Sequence, residues 1–243
     1  MAAHHLAEAI IIIGVLLLLL FLHMYANGAV NHHRLVHDPL RHFNGLAQVK
    51  VKFPKGLVDE CLQKTSYIHD SPELIVGKRV VIPGWKAGTT IPTSLMPKRV
   101  LTWYQGELCR QASKIVGATL YPTPASLPTT CSLLTYDQPD DFINWHYDVN
   151  YFNGRFFTMI IMLRHSPTCD TSFVYKDADD ETVYVNLEPG EAVLFEGSEV
   201  YHAATKLGGA GQYRHVLSMQ YSTDPTISWY NRLLMAVKDR AYV

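Results

Sequence analysis

From residue 131 the chain reads CSLLTY (131–136), INWHYD (143–148), RFFTMIIMLR (155–164), TSFVYKD (171–177), TVYVNLE (182–188), EAVLFEG (191–197), YHAATKL (201–207) and YRHVLSMQYS (213–222). These runs are rich in the β-branched and aromatic residues that favour strands. Turn formers separate them, among them Asn153-Gly154, Pro189-Gly190, Gly197-Ser198 and Gly208-Gly209. A succession of short strands at this spacing predicts a sandwich, a barrel or a double-sheet jelly roll.

Upstream the character is different. Residues 57–66 (LVDECLQKTS) and 100–117 (VLTWYQGELCRQASKIVG) carry apolar positions at helical spacing. Between them lies a short strand signal mixed with Gly/Pro turns, and YPTPASLPTT (121–130) reads as a proline-rich connector. The tail, TISWYNRLLMAVKDRAYV (226–243), returns to helical period, with Trp229 and Tyr230 expected in the core. The expected class is therefore mainly β with flanking helices (α+β).

The N-terminus is of another kind. Residues 9–22 read AIIIIGVLLLLLFL, without one polar side chain, and the apolar stretch extends to Ala26 with His23 as the interruption. A spanning helix needs roughly 17–25 such residues, so a single transmembrane helix over 1–26 is expected. A cleaved signal peptide is the competing reading, but MAAHHLAE lacks the positive charge that usually opens one. Arg34, Arg41, Lys50, Lys52 and Lys55 follow the apolar run and no Lys or Arg precedes it. The positive-inside rule then puts the remainder of a single-pass protein on the cytosolic face, although large domains cross largely regardless of flanking charge. A His-rich juxtamembrane stalk and linker is expected over 27–56, and a folded domain over 57–243 with its core at 131–222.

Composition narrows the function. The 243 residues carry a formal net charge of −1, with 48% hydrophobic and 18% charged residues. Those values exclude wholesale disorder, and they lack the basic excess of a nucleic-acid binder. Four dispersed cysteines without a C-x-x-C pair fit neither a disulfide scaffold nor a zinc finger.

The chemistry concentrates around His146-Tyr147-Asp148. On a strand, residues i and i+2 point to the same side, so this imidazole and this carboxylate would meet one ion. His202, at the start of a later strand, would complete a three-point face of two histidines and one acid, the non-haem Fe(II) arrangement with positions left open. Arg214 opens the last strand and would fork onto a dicarboxylic acid. Ser218 lies on the same face as Arg214, and Tyr136 on the first strand would add a further hydrogen bond. His165 and His215 have no ligand spacing and read as structural. Trp145 and Tyr147 should point away from the first ligand, into packing. Tyr151, Phe152 and Arg155 fall in the loop after the acid, where they would either reach a substrate or lie on the surface.

On these residues the segment Cys131–Ser222 resembles the double-stranded β-helix (jelly-roll) core of the Fe(II)/2-oxoglutarate-dependent dioxygenases, and within them the prolyl 4-hydroxylase-like branch. The resemblance implies that His146, Asp148 and His202 hold iron, and that Arg214 binds the distal carboxylate of 2-oxoglutarate with Tyr136 lining its site. It implies Fe(II) and 2-oxoglutarate as cofactor and cosubstrate, with ascorbate as a further candidate. The implied reaction is hydroxylation of a C–H bond, with succinate and CO2 as co-products. A protein side chain, proline first, is the expected substrate; a lipid or other small molecule at the membrane is the alternative. A non-catalytic subunit that uses the fold as an interaction surface is a third reading. Two features depart from the branch: Met162 stands where some prolyl hydroxylases place a tyrosine, and the loop between His202 and Arg214 carries GGAG. An alkylation-repair-type demethylase pairs the cosubstrate arginine with a second one six residues on, where this chain has Gln220, so no nucleic-acid partner is expected.

Overall fold

The run FFTMIIMLRH forms one strand, β7 (Phe156–His165), and its apolar side chains are buried on both faces. A strand covered on both sides reads as a continuous apolar run rather than an alternating one, and the rest of the architecture follows from that. The computed structural model describes residues 13–16, 18–19, 43, 45–70, 78–169 and 172–239. The chain divides into two units, Met1–Arg41 and His42–Val243.

In the second unit the strands are β1 (Leu46–Lys50), β2 (Lys78–Ile82), β3 (Lys86–Ile91), β4 (Tyr121–Pro122), β5 (Cys131–Tyr136), β6 (Phe142–His146), β7, β8 (Phe173–Lys176), β9 (Thr182–Val185), β10 (Glu191–Glu196), β11 (His202–Ala204) and β12 (Arg214–Ser222). The helices are α1 (Leu57–Asp70), α2 (Lys98–Trp103), α3 (Cys109–Val116) and α4 (Trp229–Asp239).

The described strands form one curled antiparallel sheet in the order β1-β10-β7-β12-β5-β3-β6-β11-β8-β9, with β2 beside β3 and β4 beside β12. One wall is β10-β7-β12-β5 and the other is β6-β11-β8-β9, the double layer of a jelly roll. β3 joins the walls: Thr89–Ile91 pair with β5, while Lys86 and Ala87 pair with β6.

Period-2 alternation sorts the side chains of the first wall. Leu217, Met219 and Tyr221 of β12 join Phe157, Met159 and Ile161 of β7 on the outer face, packed with Leu57, Val100, Tyr104 and Leu108 from the helical layer. Val216, Met162, Val193 and Phe195 point inward to a second cluster between the walls. Burying each such side chain is worth about 1.5–3 kcal/mol. A hydrogen bond locks helix layer to sheet: the Tyr104 hydroxyl donates to Gln220 O at 2.5 Å and accepts Thr123 N–H at 3.1 Å.

The sequence expectations need four corrections here. Residues 46–50, expected within the linker, form β1 against β10. LAQVK is too short and mixed to announce a strand, and its partner supplies the reason it forms one. The helix expected over 100–117 is two helices joined by a π turn at Tyr104–Leu108, ending at Gly117, whose left-handed φ of 76° closes it. The strand expected over 143–148 stops at His146. Trp229, expected in the core, is 79% exposed, because α4 packs through Met235 and Trp229 lies off that face.

Residues 13–16 and 18–19 are helical. Most of the expected anchor (1–26) and of the stalk up to residue 42 lies outside the described residues. Among the described residues no helix is long and apolar enough to cross a membrane.

Candidate metal centre

β6 and β11 place the two histidines side by side. His146 and His202 are direct partners in the antiparallel register. Each ring is fixed through its Nδ1, which donates to a carbonyl two residues earlier in the chain: His146 to Asn144 O at 2.7 Å, His202 to Val200 O at 2.9 Å. That choice leaves the Nε2 lone pairs turned to a common point, as a metal-binding imidazole requires.

Asp148 reaches the same point from beyond the strand end. Its backbone N–H donates to Gly197 O at 2.8 Å, and the Thr158 hydroxyl donates to Oδ2 at 2.6 Å. Oδ1 is left facing the imidazoles, 3.6 Å from His146 Nε2 and 4.0 Å from His202 Nε2. All three candidate ligand atoms lie within 4.8 Å of one another. The i, i+2 argument thus gave the right meeting point although Asp148 is not itself in the strand; Gly197 and Thr158 turn it inward instead.

The electrostatics follow from this packing. Burial works against the Asp148 carboxylate, but His146, the His202 imidazole and the Thr158 hydroxyl outweigh it and hold the carboxyl down at about 2. Burial also opposes charge on His146, yet the neighbouring Asp148 lifts this imidazole above its ordinary value. His202 is more deeply buried, and that burial, together with the nearby His146, lowers it. A half-buried, ionised carboxylate flanked by two neutral-capable imidazoles suits a divalent transition ion, Fe(II) included.

Arg214, Tyr136 and Ser218 line the cavity that the three residues border. Arg214 is 4% exposed, its guanidinium lies 4.3 Å over the Tyr136 ring, and its Nε has no hydrogen-bond partner among the described residues. Arg214 and Tyr136 are also register partners across β12 and β5. Met162, Ile160, Leu134 and Val216 make the walls apolar. A second hollow shares His146, Asp148 and Ser218 with this cavity and is bordered further by Trp85, Lys86, Thr90, Tyr147 and Val149.

The other residues singled out in the sequence fall elsewhere. His165 Nδ1 donates to Ser166 O at 2.9 Å, and His215 Nδ1 lies 3.3 Å from the Thr135 hydroxyl. Trp145 stacks on Tyr201 at 5.4 Å. Tyr147 is an exception: expected in packing, it lies 4.9 Å from Tyr201 but is 53% exposed and borders the second hollow with His146 and Asp148, because β6 ends before it and strand alternation no longer sets its direction. Phe152 is buried and stacked on Phe156, and Arg155 is buried against Glu196, so neither lies on an open loop. Thr158, Gly197 and Trp85 carry parts of the site that the sequence reading did not assign. Gly197 alone had a local signal, its place in a turn; Thr158 reaches Asp148 only through the fold.

The structure is similar to several solved oxygenases. The non-heme alpha ketoglutarate dependent epimerase SnoN from nogalamycin biosynthesis matches over 74% of this chain and 77% of its own, at 14% identity and a TM-score of 0.59. A prolyl-4-hydroxylase from Pseudomonas putida matches over 74% and 92%, at 16% identity and 0.54. A Trichoplax adhaerens prolyl hydroxylase, in complex with a hypoxia inducible factor peptide fragment, matches over 85% and 94%, at 14% identity and 0.55. The chain has the fold of the Fe(II)/2-oxoglutarate oxygenases. No protein-family model and no curated protein matches its sequence. On this oxygenase fold the triad hangs from the β6–β11 wall, and Arg214 lines the same cavity from β12 of the other wall.

Proposed function

We propose that this chain is an Fe(II)- and 2-oxoglutarate-dependent oxygenase that hydroxylates a C–H bond. One observation carries the reading: three ligand atoms within 4.8 Å border a cavity that also holds a buried arginine whose Nε has no partner among the described residues. A buried guanidinium without a carboxylate beside it is costly, and an acid entering the cavity would relieve that cost.

In this reading His146 Nε2, His202 Nε2 and Asp148 Oδ1 would hold Fe(II), and Arg214 would pair with the far carboxylate of 2-oxoglutarate beside Tyr136 and Ser218. Bound iron with its cosubstrate would supply the activation of O2 that oxidises the substrate, leaving succinate and CO2. The protein's own tasks are positional. Thr158 fixes which Asp148 oxygen is offered. Apolar Leu134, Ile160, Met162 and Val216 keep water from the cavity. Ascorbate would serve as an auxiliary reductant.

A protein side chain, proline first, is the favoured substrate, supported by the likeness to two prolyl hydroxylases, one of them with a peptide. A small molecule or lipid is the second reading. It is favoured by the likeness to SnoN and by the exposed apolar side chains Trp85, Tyr147 and Val149 at the second hollow. The apolar run at 9–22 supports a single-pass anchor with the oxygenase unit on the cytosolic side. The test is succinate formation by purified, iron-loaded protein, screened with peptides and membrane lipid extracts and read by a 16 Da mass gain in the substrate. Neither Fe(II) binding nor 2-oxoglutarate turnover would leave an interaction module as the better account.

A further inference from the structure

Two of the three candidate ligands lean on one turn. Between β10 and β11, Gly197 O accepts the Asp148 N–H at 2.8 Å, and Val200 O accepts the His202 Nδ1–H at 2.9 Å. Glu199 N–H and Val200 N–H close the turn on Glu196 O, both at 3.0 Å, and Gly197 N–H donates to Phe156 O at 3.0 Å. The turn has no slack against the acid: a Cβ on Gly197 would lie 2.8 Å from both Cβ and Oδ2 of Asp148.

The turn is pinned from behind by a buried ion pair. The Glu196 carboxylate, in a residue 2% exposed, receives a fork from Arg155, 8% exposed: Nε donates to Oε1 at 2.8 Å and Nη2 donates to Oε2. Arg155 immediately precedes β7, and three residues later on that strand Thr158 donates to Asp148 Oδ2. Arg155 is itself held by Thr223, whose hydroxyl accepts its N–H at 2.9 Å and whose N–H donates to its carbonyl at 3.1 Å. Neither Arg155 nor Glu196 belongs to the cluster of candidate ligands.

A buried ion pair is a poor source of net stability, because an apolar pair of similar volume does as well or better. A bidentate fork does fix distance and direction between its two strands. Here those strands deliver Thr158, Gly197 O and Val200 O, which orient Asp148 and His202. We infer that Arg155 and Glu196 are positioning residues for the metal centre, holding the 196–200 turn where Asp148 and His202 converge. The inference rests on the reading of the triad as a metal site.

The test uses the full chain and Co(II) as an air-stable substitute for Fe(II). Affinity is measured by calorimetry, ligand geometry by the visible absorption of the bound ion, and folding by melting temperature. R155M/E196L replaces the pair by apolar side chains. The expected result is a folded protein whose Co(II) affinity falls about 10- to 100-fold, the usual cost of losing an outer partner of a ligand, with a changed absorption band. Folded protein with wild-type affinity and band would overturn the inference. If the double variant does not fold, R155K decides: it keeps the charge and loses the fork. Weaker Co(II) binding at an unchanged melting temperature supports the inference, and unchanged binding overturns it. A wild-type chain that takes up no Co(II) is a separate outcome, and it removes the metal-site reading together with this one.

Discussion

The imidazoles of His146 and His202 face each other across the β6–β11 pairing with ring centroids 4.3 Å apart. Each spends its Nδ1 on a backbone carbonyl, so the two Nε2 atoms converge beside the Asp148 carboxylate, the one acid that joins them among the described residues. Two imidazoles this close cannot both be protonated without mutual repulsion, and the protein alone supplies one negative charge to share. A single divalent ion resolves the arrangement, because it accepts both lone pairs and the carboxylate at once.

The first prediction follows from that geometry. His146→Ala and His202→Ala each remove a ligand atom without touching the outer core, so both variants should fold and should lose tight Fe(II) or Co(II) binding. In the wild-type chain, metal at about a hundred times its Kd adds roughly 2.7 kcal/mol of stability. The melting temperature should therefore rise with metal, fall back with chelator, and respond to neither in the two variants. A metal-dependent shift that survives in His202→Ala would take that residue out of the site.

Gly197→Ala probes the acid. The added methyl would fall 2.8 Å from Asp148 and 3.0 Å from the Phe156 ring, closer than packing allows, so Asp148 or the turn must move. Overpacking of this kind costs about 1–3 kcal/mol. The expected outcome is a moderate drop in melting temperature with a disproportionate loss of metal affinity, read by titration. Metal binding that stays at the wild-type level would show that Asp148 is not held through Gly197.

The strands could be read from the sequence because their patterning is local. CSLLTY and YRHVLSMQYS mark β5 and β12 to within a residue, since turn formers bound them and β-prone side chains fill them. His146, Asp148, His202 and Arg214 were legible as a set because two of them share a strand period and the others open later strands. What stayed hidden is what only the fold brings together. LAQVK becomes a strand because β10 offers it an edge. Thr158 of β7 and Asp148, just past β6, meet although their strands are not neighbours in the sheet, and no spacing rule links a threonine in one strand to an acid after another. Arg155 read as a loop residue since nothing near it in the chain announces Glu196 as its partner.

Tyr104→Phe tests how helix and sheet are joined. The hydroxyl bridges Gln220 O and Thr123 N–H, and the ring packs on Tyr221 at 5.1 Å. Phenylalanine keeps the packing and removes both hydroxyl bonds, while Thr123 N–H still donates to Gln220 O at 3.2 Å, so the cost is about 0.5–1.5 kcal/mol per bond lost. Denaturant unfolding should show that loss as a lower midpoint with an unchanged slope, while metal affinity stays at the wild-type level. An unchanged midpoint would mean that the Thr123–Gln220 bond satisfies both backbone groups without the hydroxyl.

Arg214→Met separates cosubstrate binding from metal binding. Arg214 is buried, stacked on Tyr136 and, among the described residues, short of a hydrogen-bond partner at Nε. Methionine has a similar reach and suits the apolar walls, so folding and Co(II) affinity should be preserved. The far carboxylate of 2-oxoglutarate would lose its charged donor, worth about 1.5–3 kcal/mol, and the apparent affinity for 2-oxoglutarate should fall roughly tenfold to a hundredfold by the usual conversion of free energy to equilibrium constant. The cosubstrate titration should shift accordingly, and a monocarboxylic 2-oxo acid, which has nothing to offer the arginine, should lose much less. Equal losses for both acids would place the arginine away from the distal carboxylate, and no loss for either would remove it from the cosubstrate site.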